Sequence, residues 1–228
     1  VTSAIKALDI IGVDINNAES VKQVNELLTA YFESRGEDNG ASVWDFDDTL
    51  ASTKSNVIFT KDGETMIISA EDCAKKGADL INDDWVPDFS EFNEVVDGKP
   101  SVLTEELRSR ILKYGVENMY ILTARAPEAQ EAIFEFMKAE GLEIPRENII
   151  GLGNSTAKAK ADWIANNIVL AGYNKIYFAD DSKANVEAVK GMFDLFDVDG
   201  VVEIANAELI STGESRFSEI LEEGETDF

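Results

Sequence analysis

Residues 41–53 read ASVWDFDDTLAST. An apolar, strand-like entry leads into Asp45, Asp47 and Asp48, which crowd like charges at the end of a short buried strand. Side chains two positions apart on an extended strand point the same way, so Asp45 and Asp47 would face one side together. The stretch LFDVDGVV, residues 195–202, has the same short pattern. The pattern alone therefore does not define a site.

The composition excludes several kinds of chemistry. The 228 residues include no histidine and one cysteine, Cys73. Ser–His and Cys–His catalysis, histidine zinc sites and an intrachain disulfide are therefore excluded. Acid–base steps fall to carboxylates, lysine, tyrosine or metal-bound water. The net charge of −25 repels nucleic acid and anionic membranes and attracts divalent cations.

The sequence predicts a protein without a membrane span. It contains no run of about 18 apolar residues, and it opens at Val1 without a signal-peptide pattern. We therefore expect a cytoplasmic location. The absence of an initiator Met indicates processing or trimming of the chain.

The chain divides by pattern near residue 38. The segment NAESVKQVNELLTAYF has helical apolar spacing. It predicts a helical N-terminal extension over residues 1–38, a candidate docking element for a protein partner or a second copy. Over residues 39–228, strands alternate with helices, as in a parallel sheet with helices on both faces. We therefore predict an α/β domain, a Rossmann-like three-layer sandwich with a mostly parallel sheet.

Five core strands and a hairpin flap are predicted in this domain. The strands are expected at SVWDF, NMYILTA, NIIGLG, KIYFADD and FDLFDV, with VVEI as a short sixth. The hairpin follows the first strand at residues 57–69, around a KDG turn. It belongs to a small insertion at about residues 57–100. Asp197 and Asp199 are predicted to form a turn with Gly200 at the end of the fifth strand.

Polar side chains follow three of the predicted strands. Asp45 ends the first strand, the run Thr123-Ala124-Arg125 ends the second, and the pair Asp180-Asp181 ends the fourth. Lys158 and Lys160 lie between the last two, at the start of a predicted helix. Ligands of an open parallel sheet bind beyond the carboxyl ends of its strands, so these groups are expected on one rim. They suit phosphoryl transfer, which needs a nucleophile, positive charge and an acid for the leaving group.

These motifs resemble those of the haloacid dehalogenase superfamily of aspartate-nucleophile phosphohydrolases, over roughly residues 41–200. WDFDDTL is similar to the first motif, an apolar residue followed by Asp-x-Asp-x-Thr. YILTAR is similar to the second, an apolar strand ending in Ser or Thr. YFADDSKANVEAV is similar to the fourth, a strand ending in paired acids. The lysine of the third motif is Lys160, which abuts the next helix, or alternatively Lys158.

The resemblance implies a role for each catalytic candidate. Asp45 is the expected nucleophile and Asp47 the general acid and base. Thr123 is expected to hydrogen-bond the phosphoryl group, and Lys160 to balance charge and orient Asp45. Asp48 stands where glycine is commoner in the family, and it is given no role.

The resemblance also implies Mg²⁺ as the cofactor. Its expected ligands are the carboxylates of Asp45 and Asp181 and the backbone carbonyl of Asp47, with Asp180 acting through water or supporting the site. The candidate substrate-binding residues are Thr123, Ala124, Arg125 and Lys158. Arg125 is equally well interpreted as a surface or capping arginine.

The function implied is that of a Mg²⁺-dependent phosphatase acting on a phosphate monoester through an aspartyl-phosphate. The segment between the first and second motifs is long enough for only a small cap domain over the site, or for none. We therefore expect an open site suited to large esters or to a nucleotide or polynucleotide. Because the net negative charge disfavours stable binding of nucleic acid, we expect nucleic acid only as a substrate. The alternative is a catalytically silent module of the same fold that docks through its N-terminal helices. A phosphotransferase or phosphonatase of the same superfamily is a weaker third hypothesis.

Overall fold

A computed structural model describes residues 39–205 and, ahead of them, Ile10, Gly12 and Lys22. The predicted N-terminal extension, with its docking role, otherwise lies outside the described residues, as does the end of the predicted domain at residues 206–228. Every helix in the described part is too short or too polar to cross a membrane.

Ten strands and five α-helices make up the described domain. The strands are β1 (Gly40–Trp44), β2 (Ala51–Ser52), β3 (Asn56–Lys61), β4 (Glu64–Ser69), β5 (Val86–Asp88), β6 (Lys99–Pro100), β7 (Met119–Thr123), β8 (Ile149–Gly151), β9 (Lys175–Asp180) and β10 (Asp199–Ile204). The helices are α1 (Ala70–Asn82), α2 (Leu103–Tyr114), α3 (Gln130–Ala139), α4 (Ala157–Ile164) and α5 (Lys183–Phe196). A π-helical turn, Ala165–Val169, continues α4.

The central sheet has five strands in the order β10-β9-β1-β7-β8, and every neighbouring pair is parallel. The prediction of an α/β domain around a parallel sheet is confirmed. β1 lies in the middle, and four of its five residues are buried, which explains its nearly continuous apolar run. Trp44 joins one core with Leu107 of α2 and Ile133 of α3. Val43 joins the core on the other face with α4 and with Val189 of α5.

The insertion after β1 forms a small antiparallel sheet of its own, in the order β4-β3-β5. The predicted hairpin is confirmed, since β3 pairs with β4 along its whole length. Its turn uses Asp62 and Gly63 at φ of 50° and 84°, the left-handed region that two-residue hairpin turns require. The third strand, β5, was not predicted, because Pro87 in a short polar segment is a poor strand signal that is tolerated at a sheet edge.

The prediction of a fifth strand at FDLFDV was wrong. Helix α5 continues through this segment to Phe196, and the last core strand, β10, starts only at Asp199. Val186, Val189 and Phe193 are buried on one face of α5, so packing extends the helix over a segment that reads locally as a strand. Asp197 then ends the helix in the left-handed conformation, at φ 55°.

Candidate active site

Three polar groups lie at the carboxyl ends of neighbouring strands. Asp45 follows β1 directly, Thr123 is the last residue of β7, and Asp180 is the last residue of β9. The parallel register pairs Trp44 with Ala179, and the Asp45 amide donates to the Ala179 carbonyl at 2.9 Å. Asp45 therefore lies beside Asp180 at the rim where open sheets bind ligands.

Lys160 connects these two carboxylates. Its Nζ lies 2.5 Å from Asp45 Oδ1 and 2.6 Å from Asp180 Oδ2, and all three side chains are almost wholly buried. Lys158 is placed differently, because its side chain is 64% exposed and pairs with Asp162 on the surface of α4. Of the two candidate lysines, the structure brings Lys160 to the aspartates.

The start of α4 sets the position of Lys160. Thr156 caps the helix, and its hydroxyl accepts the Ala159 amide at 3.3 Å. Lys160 and Ala161 then face inward, whereas Lys158 faces the solvent. Because the cap fixes where the helix begins, it also fixes which of the two lysines faces the site and which faces the solvent.

Asp180 is held from both sides. Its Oδ1 accepts the Ser182 amide at 2.9 Å and the Asn185 side-chain amide at 2.9 Å. Ser182 caps α5, and Asn185 lies in the first turn of that helix. The carboxylate of Asp180 is therefore fully buried yet supplied with donors, as a buried charge requires.

Thr49 is a site residue to which no role was assigned from the sequence. Its hydroxyl donates to Asp45 Oδ2 at 3.3 Å and accepts the Asp181 amide at 3.0 Å. It thereby connects the turn after β1 to the turn after β9. The signal was its position in the DxDxT pattern, four residues after Asp45.

Asp47 turns toward Arg125 rather than toward Lys160. Arg125 Nε and Nη2 each lie 2.7 Å from one Asp47 oxygen, a bidentate contact. The Thr53 hydroxyl also donates to Asp47 Oδ1, at 3.0 Å. Asp48, at φ 55°, is exposed. Its left-handed conformation, which favours glycine, turns the chain between Asp47 and Thr49.

The loops after β7 and β8 support each other beside Thr123. The amide of Leu152 donates to the Thr123 carbonyl, and that of Gly153 donates to the Arg125 carbonyl. A side chain at Gly151 would lie only 2.3 Å from the Ala126 carbonyl oxygen, so this close approach requires glycine. Thr123 is buried, and its hydroxyl accepts the Arg125 amide at 3.2 Å.

Burial and repulsion between carboxylates raise the pKa of two aspartates at this rim. Burial, together with the neighbouring carboxylates of Asp180 and Asp47, raises the pKa of Asp45 to about 7, although Lys160 opposes the rise. Partial burial and repulsion from Asp180 and Asp48 raise the pKa of Asp181 to about 6. Burial disfavours the charged form of Lys160, but attraction to Asp45 and Asp180 outweighs it and raises the pKa of the ammonium.

The donor set fits a hard divalent cation. One oxygen each from Asp45, Asp180 and Asp181 lie within 4.8 Å of one another. Asp181 is partly shielded by its neighbours but still reaches the solvent, which leaves the group accessible. Carboxylate oxygens are the ligands that Mg²⁺ prefers, and a cation would relieve the repulsion that raises the pKa of Asp45 and Asp181. The Asp47 carboxylate is not part of this group of acids.

We expect the metal-free protein to lose stability progressively as the pH rises from about 4, near the pKa of an aspartate in the unfolded chain, to about 7. Both raised carboxyls bind protons more tightly in the fold than in the unfolded chain, so their contribution is present at low pH and lost above their folded pKa. If these aspartates hold Mg²⁺, they would do so in their ionised form, so any stabilisation by the cation should grow over the same pH range. Thermal unfolding with and without Mg²⁺ at a series of pH values measures both trends.

The control for this pH series is the double variant Asp45→Asn, Asp181→Asn. It keeps the acidic surface, whose general repulsion also grows with pH, but lacks the two raised carboxyls. Its pH dependence should be shallower, and the effect of Mg²⁺ should be nearly absent. An equal effect of Mg²⁺ in both proteins would show that the cation binds elsewhere.

Comparison of the chain with protein-family models, with curated proteins and with solved structures finds no match. The function therefore has to be argued from the geometry of this rim.

Proposed function

We propose that the protein is a Mg²⁺-dependent phosphohydrolase of the haloacid dehalogenase type, which cleaves phosphate monoesters through a phosphorylated Asp45. One observation carries the proposal: Asp45 is paired with a buried lysine, beside a second carboxylate, at the carboxyl rim of a parallel sheet. A surface cluster of acids would hold no buried cation. A purely structural ion pair would not need the exposed carboxylate of Asp181 nearby.

Asp45 is the side chain best oriented to attack a phosphoryl group. Lys160 donates to its Oδ1, whereas the contact to Oδ2 in the described part of the chain is a long one, from the Thr49 hydroxyl at 3.3 Å. In the first step Oδ2 bonds to phosphorus, and the bond from phosphorus to the leaving oxygen breaks. In the second step water attacks phosphorus, the bond to Asp45 breaks, and inorganic phosphate leaves. No histidine is needed, because a carboxylate is itself the nucleophile.

Asp47 is the proposed proton carrier. It gives a proton to the leaving oxygen in the first step and takes one from the attacking water in the second. Its Oδ1 accepts from Arg125 and Thr53, whereas its Oδ2 accepts from Arg125 alone in the described part of the chain. A carboxylate has about four acceptor positions, so Oδ2 has the more open lone pair for proton exchange.

Asp45, Asp180 and Asp181 are the side chains that would hold Mg²⁺. When bound, the cation supplies positive charge to the phosphoryl oxygens. Lys160 supplies a second positive charge, fixed by burial, and Thr123 supplies a hydroxyl at the end of the neighbouring strand. These fixed charges stabilise negative charge that develops during transfer.

The experiment is a screen of phosphate monoesters, from an aryl phosphate to nucleotides and 3′-phosphorylated oligonucleotides, with Mg²⁺. The proposal expects phosphate release from at least one ester and its loss in EDTA. Each active ester is then repeated with Asp45→Asn. Wild-type protein that releases no phosphate from the whole panel would favour the silent-module alternative.

A further inference from the structure

Arg125 uses every donor that it has within the protein. A guanidinium carries five N–H groups. Nε and Nη2 donate to the two Asp47 oxygens, and Nη2 also donates to the Thr53 hydroxyl at 3.1 Å. Nη1 donates to two backbone carbonyls of the insertion, those of Phe92 at 2.8 Å and Glu94 at 2.5 Å. A phosphoryl group could therefore bind Arg125 only by displacing one of these partners.

The surroundings of Arg125 also fix it in place. Its side chain is 1% exposed, and its guanidinium carbon lies 5.4 Å from the ring centre of Phe46 and 5.3 Å from that of Phe92. Phe46 belongs to the turn after β1, and Phe92 belongs to the insertion. Arginine over aromatic rings is favourable when desolvated, so the rings and the acceptors hold the same conformation.

We propose that Arg125 is a positioning residue: one guanidinium fixes both the Asp47 carboxylate and residues 92–94 of the insertion, and so couples their positions. The role assigned to Asp47 rests on the proposed function, but the coupling between Asp47 and the insertion does not. Because one guanidinium bonds both partners, loosening either one loosens the other. The insertion thereby takes part in orienting the proton carrier.

The segment that Arg125 holds is short and contains no buried side chain in its helical turn. Residues Ser90–Asn93 form this single 3₁₀ turn. Its other contacts to the body of the insertion include Glu91, which accepts the Asn56 amide at 2.9 Å and, through its carbonyl, the Ser55 hydroxyl. Local openings are most frequent where few buried contacts resist them, so this turn should report directly on the loss of Arg125.

Lysine cannot replace Arg125 in this role. A guanidinium presents its donors in a planar fork that matches a carboxylate, whereas an ammonium is a point charge with three donors. Arg125→Lys keeps the positive charge but cannot bond both Asp47 oxygens and both carbonyls at once. The substitution therefore separates the effect of position from the effect of charge.

The kinetic test compares wild-type protein with Arg125→Lys on a phosphate ester from the screen. Misplacement of the proton carrier should lower kcat by about 10²-fold. The KM and the inhibition constant of inorganic phosphate should stay within about threefold, because no contact to phosphate is lost. A rise of about tenfold or more in the phosphate inhibition constant would instead make Arg125 a phosphate ligand and overturn the proposal.

The coupling test uses hydrogen exchange and needs no activity. In Asp47→Asn, the amides of Phe92 and Glu94 should exchange about tenfold faster than in wild-type protein, because Arg125, which bonds this segment, loses part of its own support. Arg125→Lys should give a similar change. Unchanged exchange in Asp47→Asn overturns the coupling, even if the less conservative substitution at Arg125 impairs folding.

Arg110→Lys is the matched control. Arg110 also pairs with an acid, Glu106 at 2.8 Å, and stacks on the ring of Tyr177, but Asn39, Ser42 and Lys175 beside it lie near the opposite end of the sheet. It should change neither kcat nor exchange at residues 92–94. If wild-type protein releases no phosphate, the proposed function fails, while the exchange experiment still decides whether Arg125 couples Asp47 to the insertion.

Discussion

Replacing Asp45 with asparagine is expected to lower phosphate release on the order of 10⁵-fold, as the removal of a catalytic nucleophile does. Asparagine has nearly the same size, but its neutral amide does not attack phosphorus and binds a cation more weakly than a carboxylate does. The Lys160–Asp180 pair remains, so the fold should persist. Burial disfavours the Asp45 carboxylate, as its raised pKa shows. The variant should therefore be as stable as wild-type protein without metal, or more so.

Asp199→Asn is the control for this substitution. It makes the same chemical change in the near copy of the motif, where Asp199 is exposed at the start of β10. It should keep full activity, because it lies outside the carboxyl rim. The comparison requires the same ester and saturating Mg²⁺. Activity in Asp45→Asn within about tenfold of wild type would remove Asp45 from the role of nucleophile.

Replacing Lys160 with methionine is expected to destabilise the metal-free protein by about 3–5 kcal/mol near neutral pH, the usual consequence of removing one partner from a buried ion pair. Methionine fills a similar volume but leaves Asp45 and Asp180 facing each other without the cation. The loss should shrink as the pH falls, because protonation of Asp45 removes one of the two charges. Urea unfolding at two pH values measures both effects.

Two variants make the Lys160 experiment specific. Lys158→Met removes an exposed lysine of the same helix, and its cost should stay within about 0.5 kcal/mol. Adding Asp45→Asn to Lys160→Met should recover part of the loss, since one unpaired charge is gone. Equal losses at the two lysines, or no recovery in the double variant, would contradict the account of the buried pair.

Local signals in the sequence were sufficient for the parallel sheet and for the position of its polar ends. Buried strands of a parallel sheet are apolar runs, and Asp45, Thr123 and Asp180 each follow such a run directly. From the sequence, Lys160 could only be preferred over Lys158 as the lysine of the third motif. The choice between them depends on which face of α4 is buried, and hence on the cap at Thr156 and on packing against the sheet.

Hydrogen bonds between residues far apart in the chain could not be predicted from the sequence. Arg125 bonds Asp47 and two carbonyls near residue 93, and backbone carbonyls have no residue-type signal. Thr49 was visible in the motif, but its bond to the Asp181 amide depends on the register of two strands. The end of α5 was missed for a similar reason, because the burial of Phe193 outweighs the local strand pattern.

Whether Asp45 accepts a phosphoryl group can be measured by ¹⁹F NMR of the protein with beryllium fluoride and Mg²⁺. Trifluoroberyllate binds a carboxylate as a mimic of a phosphoryl group, so the experiment needs neither turnover nor a known substrate. We expect bound fluorine resonances in wild-type protein and in Asp47→Asn, and none in Asp45→Asn or in EDTA. Wild-type protein without bound resonances at saturating Mg²⁺, or Asp45→Asn with the same resonances as wild type, would show that Asp45 is not the acceptor.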